Sequence, residues 1–369
     1  WFAEEARRIH GRILPARLPA SRMDVAKLPV GPVAALSPWN FPLVLSARKL
    51  GGALAAGCSI VLKAAEETPA SVAAMVACLN EELPEGVLQL VYGVPAEVSQ
   101  ALIASPVIRK VTFTGSVPVG RHLAQLAGQH LKRITLELGG HAPVIVCEDA
   151  DLQRAVSLMV THKFRNAGQA CLAPTRFYVD RAIEGDFMDA FTAASHKLVL
   201  GNGMAPSTQM GPLASARRLA AVRDLIDRSV QSGAQLHQGT APTSGFFAPV
   251  SLLTHVAPDS PVIKEEPFGP VATLTAFDNI DHALHLANQS VTKVEPVSEL
   301  PIEVAEEVSA VTKALSERLA ALAVELNDKA VKAAERRVAE VIRTAGVQRE
   351  QAERELVDAA TTVDDLEST

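Results

Sequence analysis

The feature that most restricts the fold is an alternation, repeated from Pro29 to Leu138, of short apolar runs and longer stretches rich in Ala and Leu. Pro29 to Leu36 reads as a buried strand and Ser46 to Gly57 as a helix. Strands follow at Cys58 to Lys63, Val87 to Val91, Lys110 to Thr114 and Arg133 to Leu138, separated by helices at Pro69 to Glu82, Ala96 to Ala104 and Val119 to Gly128. Such a rhythm implies a mostly parallel sheet covered by helices on both faces, an α/β architecture. With 369 residues, 48% of them hydrophobic, the chain also has room for a second unit and a sizeable core. Beyond Gly140 the pattern predicts a helix from Leu152 to Phe164 capped by Asp149 or Asp151, and a strand at Arg176 to Val179. Further helices are expected at Gly185 to Leu198 and Pro212 to Ser232, the last with Arg217, Arg218, Arg223 and Arg228 on solvated faces. At the other end, Trp1 to His10 reads as the end of a helix, and Gly11 to Leu28, interrupted by prolines, as an exposed hairpin.

Three segments carry chemistry. Between Lys163 and Arg176, Cys171 lies among glycine, small and polar residues, where a thiol is accessible; Cys147, which ends the run Val144-Ile145-Val146, is expected to be packed in the core instead. Ser37-Pro38-Trp39-Asn40-Phe41-Pro42 is a proline-stiffened turn after a strand, and Glu137-Leu138-Gly139-Gly140 ends another strand. Together they offer a thiol to attack a carbonyl, a carboxylate to activate water and an amide to hold an oxyanion. Gly115-Ser116-Val117-Pro118-Val119-Gly120 follows a strand and opens a helix, so a phosphate could meet helix N–H groups there; a plain strand-to-helix turn explains the same residues.

From Trp1 to about Asn288 the chain resembles the NAD(P)-dependent aldehyde dehydrogenase superfamily. The likeness rests on five motifs in order: Trp39-Asn40-Phe41-Pro42; Lys63-Ala64-Ala65-Glu66; Phe113-Thr114-Gly115-Ser116 with Gly120; the Glu137 and Cys171 segments, 34 residues apart; and Glu265-Glu266-Pro267-Phe268-Gly269-Pro270. The resemblance implies an aldehyde-dehydrogenase-like fold: a Rossmann-type parallel-sheet domain and a partial α/β catalytic domain. It implies Cys171 as nucleophile, Glu137 as base and Asn40, aided by the Cys171 N–H, as oxyanion donor. For the cofactor it implies Lys63 and Glu66 on the adenosine ribose, Gly115, Ser116 and Gly120 near the phosphates, Glu266 on the nicotinamide ribose, Phe268 against the ring and Trp39 beside it. A carboxylate at Glu66 would repel a 2′-phosphate, which favours NAD over NADP. Plainer alternatives stand beside these: a turn asparagine bonding its own backbone, an ordinary exposed Lys63, a surface Glu266 and a core Phe268.

Arg48 and Arg165 flank the Asn40 and Cys171 segments and would pair with a carboxylate at the far end of a short substrate. The same two positions carry arginine in succinate semialdehyde dehydrogenases, the branch most similar to Lys163-Phe164-Arg165-Asn166-Ala167-Gly168-Gln169; structural ion pairs for both are the alternative. Ala173 stands where that branch often has a second cysteine.

The likeness divides the chain into a helix end and oligomerisation-arm remnant (1–28), an NAD-binding domain (29–139), an incomplete catalytic domain (140–290) and an acidic tail (291–369). The tail holds 17 acidic against 10 basic side chains, the preceding part 24 against 25, which gives no sign of a nucleic-acid or membrane partner. From Val304 to Val341 apolar residues recur every three or four positions, as in a long amphipathic helix that could bind a partner helix. Four cysteines at 58, 78, 147 and 171 show neither metal-ligand spacing nor a disulfide framework, which points to a reducing cytoplasm and no metal. The expected function is oxidation of an aldehyde, a short semialdehyde such as succinate semialdehyde, to its carboxylic acid with NAD through a Cys171 thioester. An inactive remnant that binds nucleotide, or a helical interaction protein, is the alternative. The family is homo-oligomeric, but the arm is incomplete here.

Overall fold

The computed structural model describes residues 2–16 and 21–288; the tail expected to be helical lies outside the described residues. Helix α1 (Phe2–Glu5) leads into β1 (Arg12–Leu14) and β2 (Met23–Val25), paired antiparallel with Ile13 opposite Asp24, so the expected hairpin is present.

The first sheet contains β3 (Val33–Leu36), β4 (Ile60–Lys63), β5 (Leu88–Val91), β6 (Lys110–Gly115) and β7 (Arg133–Leu138), alternating with α2 (Pro42–Ala55), α3 (Pro69–Asn80), α4 (Pro95–Ala104) and α5 (Val117–Gln129). Proline at the first position of α2, α3 and α4 starts each helix where its missing N–H costs nothing. All neighbours are parallel, in the order β5-β4-β3-β6-β7. β3 is central because Val-Ala-Ala-Leu is buried at every position. Winding runs outward from β3 to β5, then returns to β6, so its direction reverses beside β3. The crevice at the carboxyl ends of the strands flanking such a reversal is where sheets of this kind bind ligands. Register sets Lys63, Leu36, Phe113 and Leu136 level at that edge.

The second sheet has the order β10-β11-β12-β9-β8, with β8 (Ala142–Val146), β9 (Pro174–Asp180), β11 (Ser251–Thr254) and β12 (Val271–Phe277) parallel and β10 (Gln235–Gln238) antiparallel at the edge. Phe164, Phe177, Phe187 and Phe191 form its aromatic centre, Phe177 and Phe191 with ring centroids 5.0 Å apart. The packing helices are α6 (Leu152–Phe164), capped by the Asp151 carboxylate accepting from the Arg154 N–H at 3.0 Å, α7 (Glu184–His196) and α8 (Ala216–Gln231), capped by Ser215. A single-turn α9 (Pro261–Lys264) and α10 (Ile280–Asn288) complete the described part.

Two expectations about side chains are corrected. Cys147 is exposed, because β8 stops at Val146 and the chain turns outward; Cys58 is the buried cysteine. Arg218 does not lie on a solvated face: it donates from Nη2 to the Pro267 carbonyl at 3.2 Å, and burial holds its pKa below the ordinary arginine value. Arg217 and Arg223 are exposed, and Arg228 pairs with Asp224 and Glu265 at 2.8 Å each.

His141, just before β8, is buried. Its Nε2 lies 2.7 Å from the Val262 carbonyl, its Nδ1 meets the Thr175 hydroxyl, and the Arg176 Nε–H donates to the His141 carbonyl at 2.8 Å. Burial lowers its pKa from 6.5 to about 4, although the bond to Val262 acts in the opposite direction. The unfolded chain therefore binds a proton below pH 6.5 that the folded chain refuses until about pH 4. Between those values stability falls as pH falls, by up to about 3 kcal/mol for this group. Urea titrations at pH 7.5 and pH 4.5 should show a smaller loss for His141→Asn than for the native chain, and equal losses would contradict this assignment.

Candidate active site

Cys171 is partly exposed and follows a tight turn at the end of α6. Three other loops meet that turn. From the end of β3, the Asn40 carboxamide Nδ2 donates to the Gln169 carbonyl at 3.1 Å, and the Asn166 Nδ2 donates back to the Asn40 carbonyl at 2.9 Å. From the end of β7, Gly140 borders Cys171: a Cβ built on it would lie 3.8 Å from the Cys171 carbonyl oxygen. From before β12, the Gly269 carbonyl sits so close to Gly168 that a Cβ there would come within 2.1 Å of it, and Gly168 has φ +71°. Only glycine fits.

The Glu265–Pro270 loop also reaches the other proposed cofactor residues. The Glu266 carboxylate accepts the Gly140 N–H and packs so closely on Gly139 that a Cβ at that position would come within 1.9 Å of Oε2. Burial raises the Glu266 pKa, opposed by that hydrogen bond and by the charges of Lys163 and Arg218. Phe268 meets Trp39 edge to face, with centroids 5.6 Å apart. Neither is a simple surface Glu nor a simple core Phe; both join the loops around Cys171.

Glu137 is half exposed at the end of β7, with Arg48 Nη2 3.6 Å from its Oε1. Arg165 places its guanidinium 5.6 Å from the centre of the Phe41 ring. Arg48 thus lies beside a carboxylate and Arg165 over the aromatic face of Phe41, in the Asn40 segment. An ion pair this exposed adds little stability.

At the end of β4, Lys63 is buried rather than an ordinary exposed lysine, and it pairs with Glu66. Burial would raise the Glu66 pKa, but the Lys63 hydrogen bond and charge prevail and hold it below the ordinary carboxylate value. Gly115 ends β6, and Ser116 precedes α5 without a side-chain cap, which leaves the first N–H groups of that helix for a ligand. Gly120 packs closely on the Leu138 side chain, whose Cδ2 would lie 2.4 Å from a Cβ built there.

Two buried lysines escape sequence reasoning. Lys49, on α2, donates to Thr114 Oγ1 at 2.7 Å and Thr112 Oγ1 at 3.3 Å. Burial lowers its pKa to about 8, Glu137 opposing and Arg48 assisting. It is the one lysine of an otherwise Ala-, Leu- and Gly-rich helix, a signal that could have marked it. Lys163 is fully buried, its Nζ has no hydrogen-bond partner among the described residues, and burial lowers its pKa to about 7 against the pull of Glu266. A cavity of about 530 Å³ lies at the opposite end of the first sheet, between Pro29, Pro32, Leu54, Cys58 and Val87; none of the candidate site residues lines it. Among the described residues no group of three or more His, Cys, Asp or Glu could hold a metal ion, and no helix is long and apolar enough to cross a membrane.

Residues 1–293 match the model of the aldehyde dehydrogenase family. The chain is 73% identical over 290 residues to a putative 4-(hydroxymethyl)benzenesulfonate dehydrogenase of Comamonas testosteroni, covering 79% of this chain and 61% of the relative. It is 42% identical over 295 residues to a probable NADP-linked succinate-semialdehyde dehydrogenase of Sinorhizobium fredii, covering 79% and 60%. The structure is similar to betaine aldehyde dehydrogenase of Staphylococcus aureus in complex with NAD, with a TM-score of 0.75 and 32% identity over 78% of this chain and 58% of that one. The chain thus spans about three fifths of the length of these relatives. A match of this extent, on a fold of one parallel and one mostly parallel sheet, shows that the chain belongs to the aldehyde dehydrogenase family.

Proposed function

We propose that this chain carries the cofactor site and the nucleophile of an NAD-linked dehydrogenase that oxidises an aldehyde bearing a remote anion to its carboxylic acid. The observation that carries this reading is the convergence of the Asn40, Gly140 and Glu266 loops on the turn before Cys171. The residues present fit a dinucleotide: an uncapped helix N-terminus after Gly115, the Lys63–Glu66 pair at one side and Glu266 with the Trp39–Phe268 pair at the other. When bound, the nicotinamide cofactor supplies the hydride acceptor.

The chain's own groups account for the remainder. The Cys171 thiolate adds to the aldehyde carbon, and the Asn40 carboxamide with the Cys171 N–H holds the alkoxide oxygen that forms. One Asn40 amide N–H is engaged by Gln169. The other can serve the oxyanion. Loss of hydride from the adduct carbon leaves a thioester on Cys171. Glu137, half exposed and reachable by water, removes a proton from the attacking water, and the acid departs as the thiolate is restored. Lys49, held by two threonines, keeps a positive charge near Glu137.

For the substrate, Arg48 and Arg165 supply the anion contact. Exposed Leu43 and Val44, on the same helix as Arg48, and Leu172, next to Cys171 in the chain, offer apolar surface. That combination suits an aromatic ring with a para sulfonate as well as a short semialdehyde. Because a thiolate attacks an aldehyde and not an alcohol, 4-formylbenzenesulfonate is the first substrate to assay, with succinate semialdehyde second. Glu66 favours NAD over NADP. The test follows reduced nicotinamide while both aldehydes and both cofactors are varied; equal rates with a neutral benzaldehyde would sink the anion reading. Arg48→Ala and Arg165→Ala should each lower kcat/KM for the anionic aldehydes by about 10- to 100-fold, the value of one charge-assisted contact, and leave benzaldehyde turnover within threefold.

A further inference from the structure

The turn before Cys171 is strained in a way that its neighbours explain. Asn166 (φ 52°, ψ 36°), Ala167 (φ 53°, ψ 35°) and Gly168 (φ 71°) are three consecutive residues in the left-handed region. Only the glycine is at ease there. Asn tolerates this conformation, whereas Ala does so at a cost of about 1 kcal/mol or more. Such backbone persists only where its surroundings over-determine it.

Three ties do so. The Gly269 carbonyl seats Gly168. The buried Gln169 side chain spans the turn, its Nε2 donating to the Asn166 carbonyl at 3.0 Å and its Oε1 accepting the Ala214 N–H at 2.9 Å. The third tie leaves the turn altogether: Asn166 Nδ2 donates to the Asn40 carbonyl at 2.9 Å and to the Gln169 carbonyl at 3.3 Å, while Asn40 Nδ2 donates to the same Gln169 carbonyl at 3.1 Å. Asn40 is thus gripped at its backbone by Asn166 and at its side chain by the residue two before Cys171.

We propose that Asn166 is the positioning residue of the oxyanion site, and that the left-handed turn exists to aim its carboxamide at the Asn40 backbone. The separation between the Asn40 amide and the Cys171 N–H is set through this clamp. The inference rests on the reading of Asn40 as an oxyanion donor; the clamp itself is a separate structural claim. Rate depends steeply on such placement, since displacement by an ångström can cost two orders of magnitude.

The experiment uses the full chain with three single variants. Asn166→Gly frees the backbone and removes the clamp, Asn166→Asp keeps the shape but replaces the donor by an acceptor, and Ala167→Gly relieves strain with the clamp intact. Hydrogen–deuterium exchange of the segment 37–45 is expected to quicken severalfold in both Asn166 variants and to stay at the native rate in Ala167→Gly. In single-turnover hydride formation both Asn166 variants should be about tenfold slower with NAD affinity within twofold, and Asn40→Ala/Asn166→Gly no slower than Asn40→Ala alone. Native exchange in Asn166→Asp, or losses that multiply in the double variant, would overturn the proposal. Should the native chain form no reduced nicotinamide with any aldehyde, the functional reading fails, while the exchange rates still decide the clamp.

Discussion

Replacing Cys171 by alanine is expected to lower aldehyde-dependent formation of reduced nicotinamide by about 10⁴-fold or more, because removal of the nucleophile leaves only binding and oxyanion stabilisation. The structure makes this a demanding prediction. Cys58 is buried in the core of the first sheet and cannot substitute; Cys78 and Cys147 are exposed, but on α3 and at the end of β8, outside the loops that meet at the turn. The variant should keep its thermal midpoint and bind NAD as the native chain does, since Cys171 is only partly buried and Glu266, Lys63 and the α5 N-terminus are untouched. Turnover retained within tenfold would mean that another group carries the reaction.

Glu137→Gln has the second-largest expected effect and a different form. The thiol and both oxyanion donors remain, so the first hydride transfer should proceed near the native rate and give a burst of about one equivalent per chain. Steady turnover then falls by about 10²- to 10⁴-fold, the usual contribution of a positioned general base. Glutamine keeps the shape beside Arg48 and removes only the proton acceptor. Rapid mixing with absorbance detection separates the two phases. Loss of the burst together with turnover would place Glu137 before the thioester instead of after it.

Much of the first sheet was legible because its elements announce themselves locally. Proline at the first turn of α2, α3 and α4, and apolar runs as short as Val33–Leu36, gave elements within a few residues of those observed. Helix α6 matched at both ends because Asp151 supplies a real cap and a left-handed turn stops it after Phe164. The second sheet was harder to read. β11 is four buried residues and β12 seven mostly buried ones, so neither shows the two-residue alternation of a half-exposed strand, and polar β10 looks like loop. At the site, the type and order of Asn40, Glu137, Cys171 and Glu266 were visible in motifs. Lys49 and Lys163 were not, since a lysine reads as surface until tertiary packing closes over it. Cys147 misled for the opposite reason: an apolar run predicts burial only as far as its strand continues.

The six consecutive residues before β12 answer to at least five neighbours: Glu265 to Arg228, Glu266 to Gly140, Pro267 to Arg218, Phe268 to Trp39 and Gly269 to Gly168. On the proposed reading, re-engineering the cofactor preference through this loop would be a poor start, because Gly269 seats Gly168 and so holds the turn before Cys171. The Lys63–Glu66 corner, tied through Glu67 to Arg217 at 3.7 Å, is the more forgiving handle.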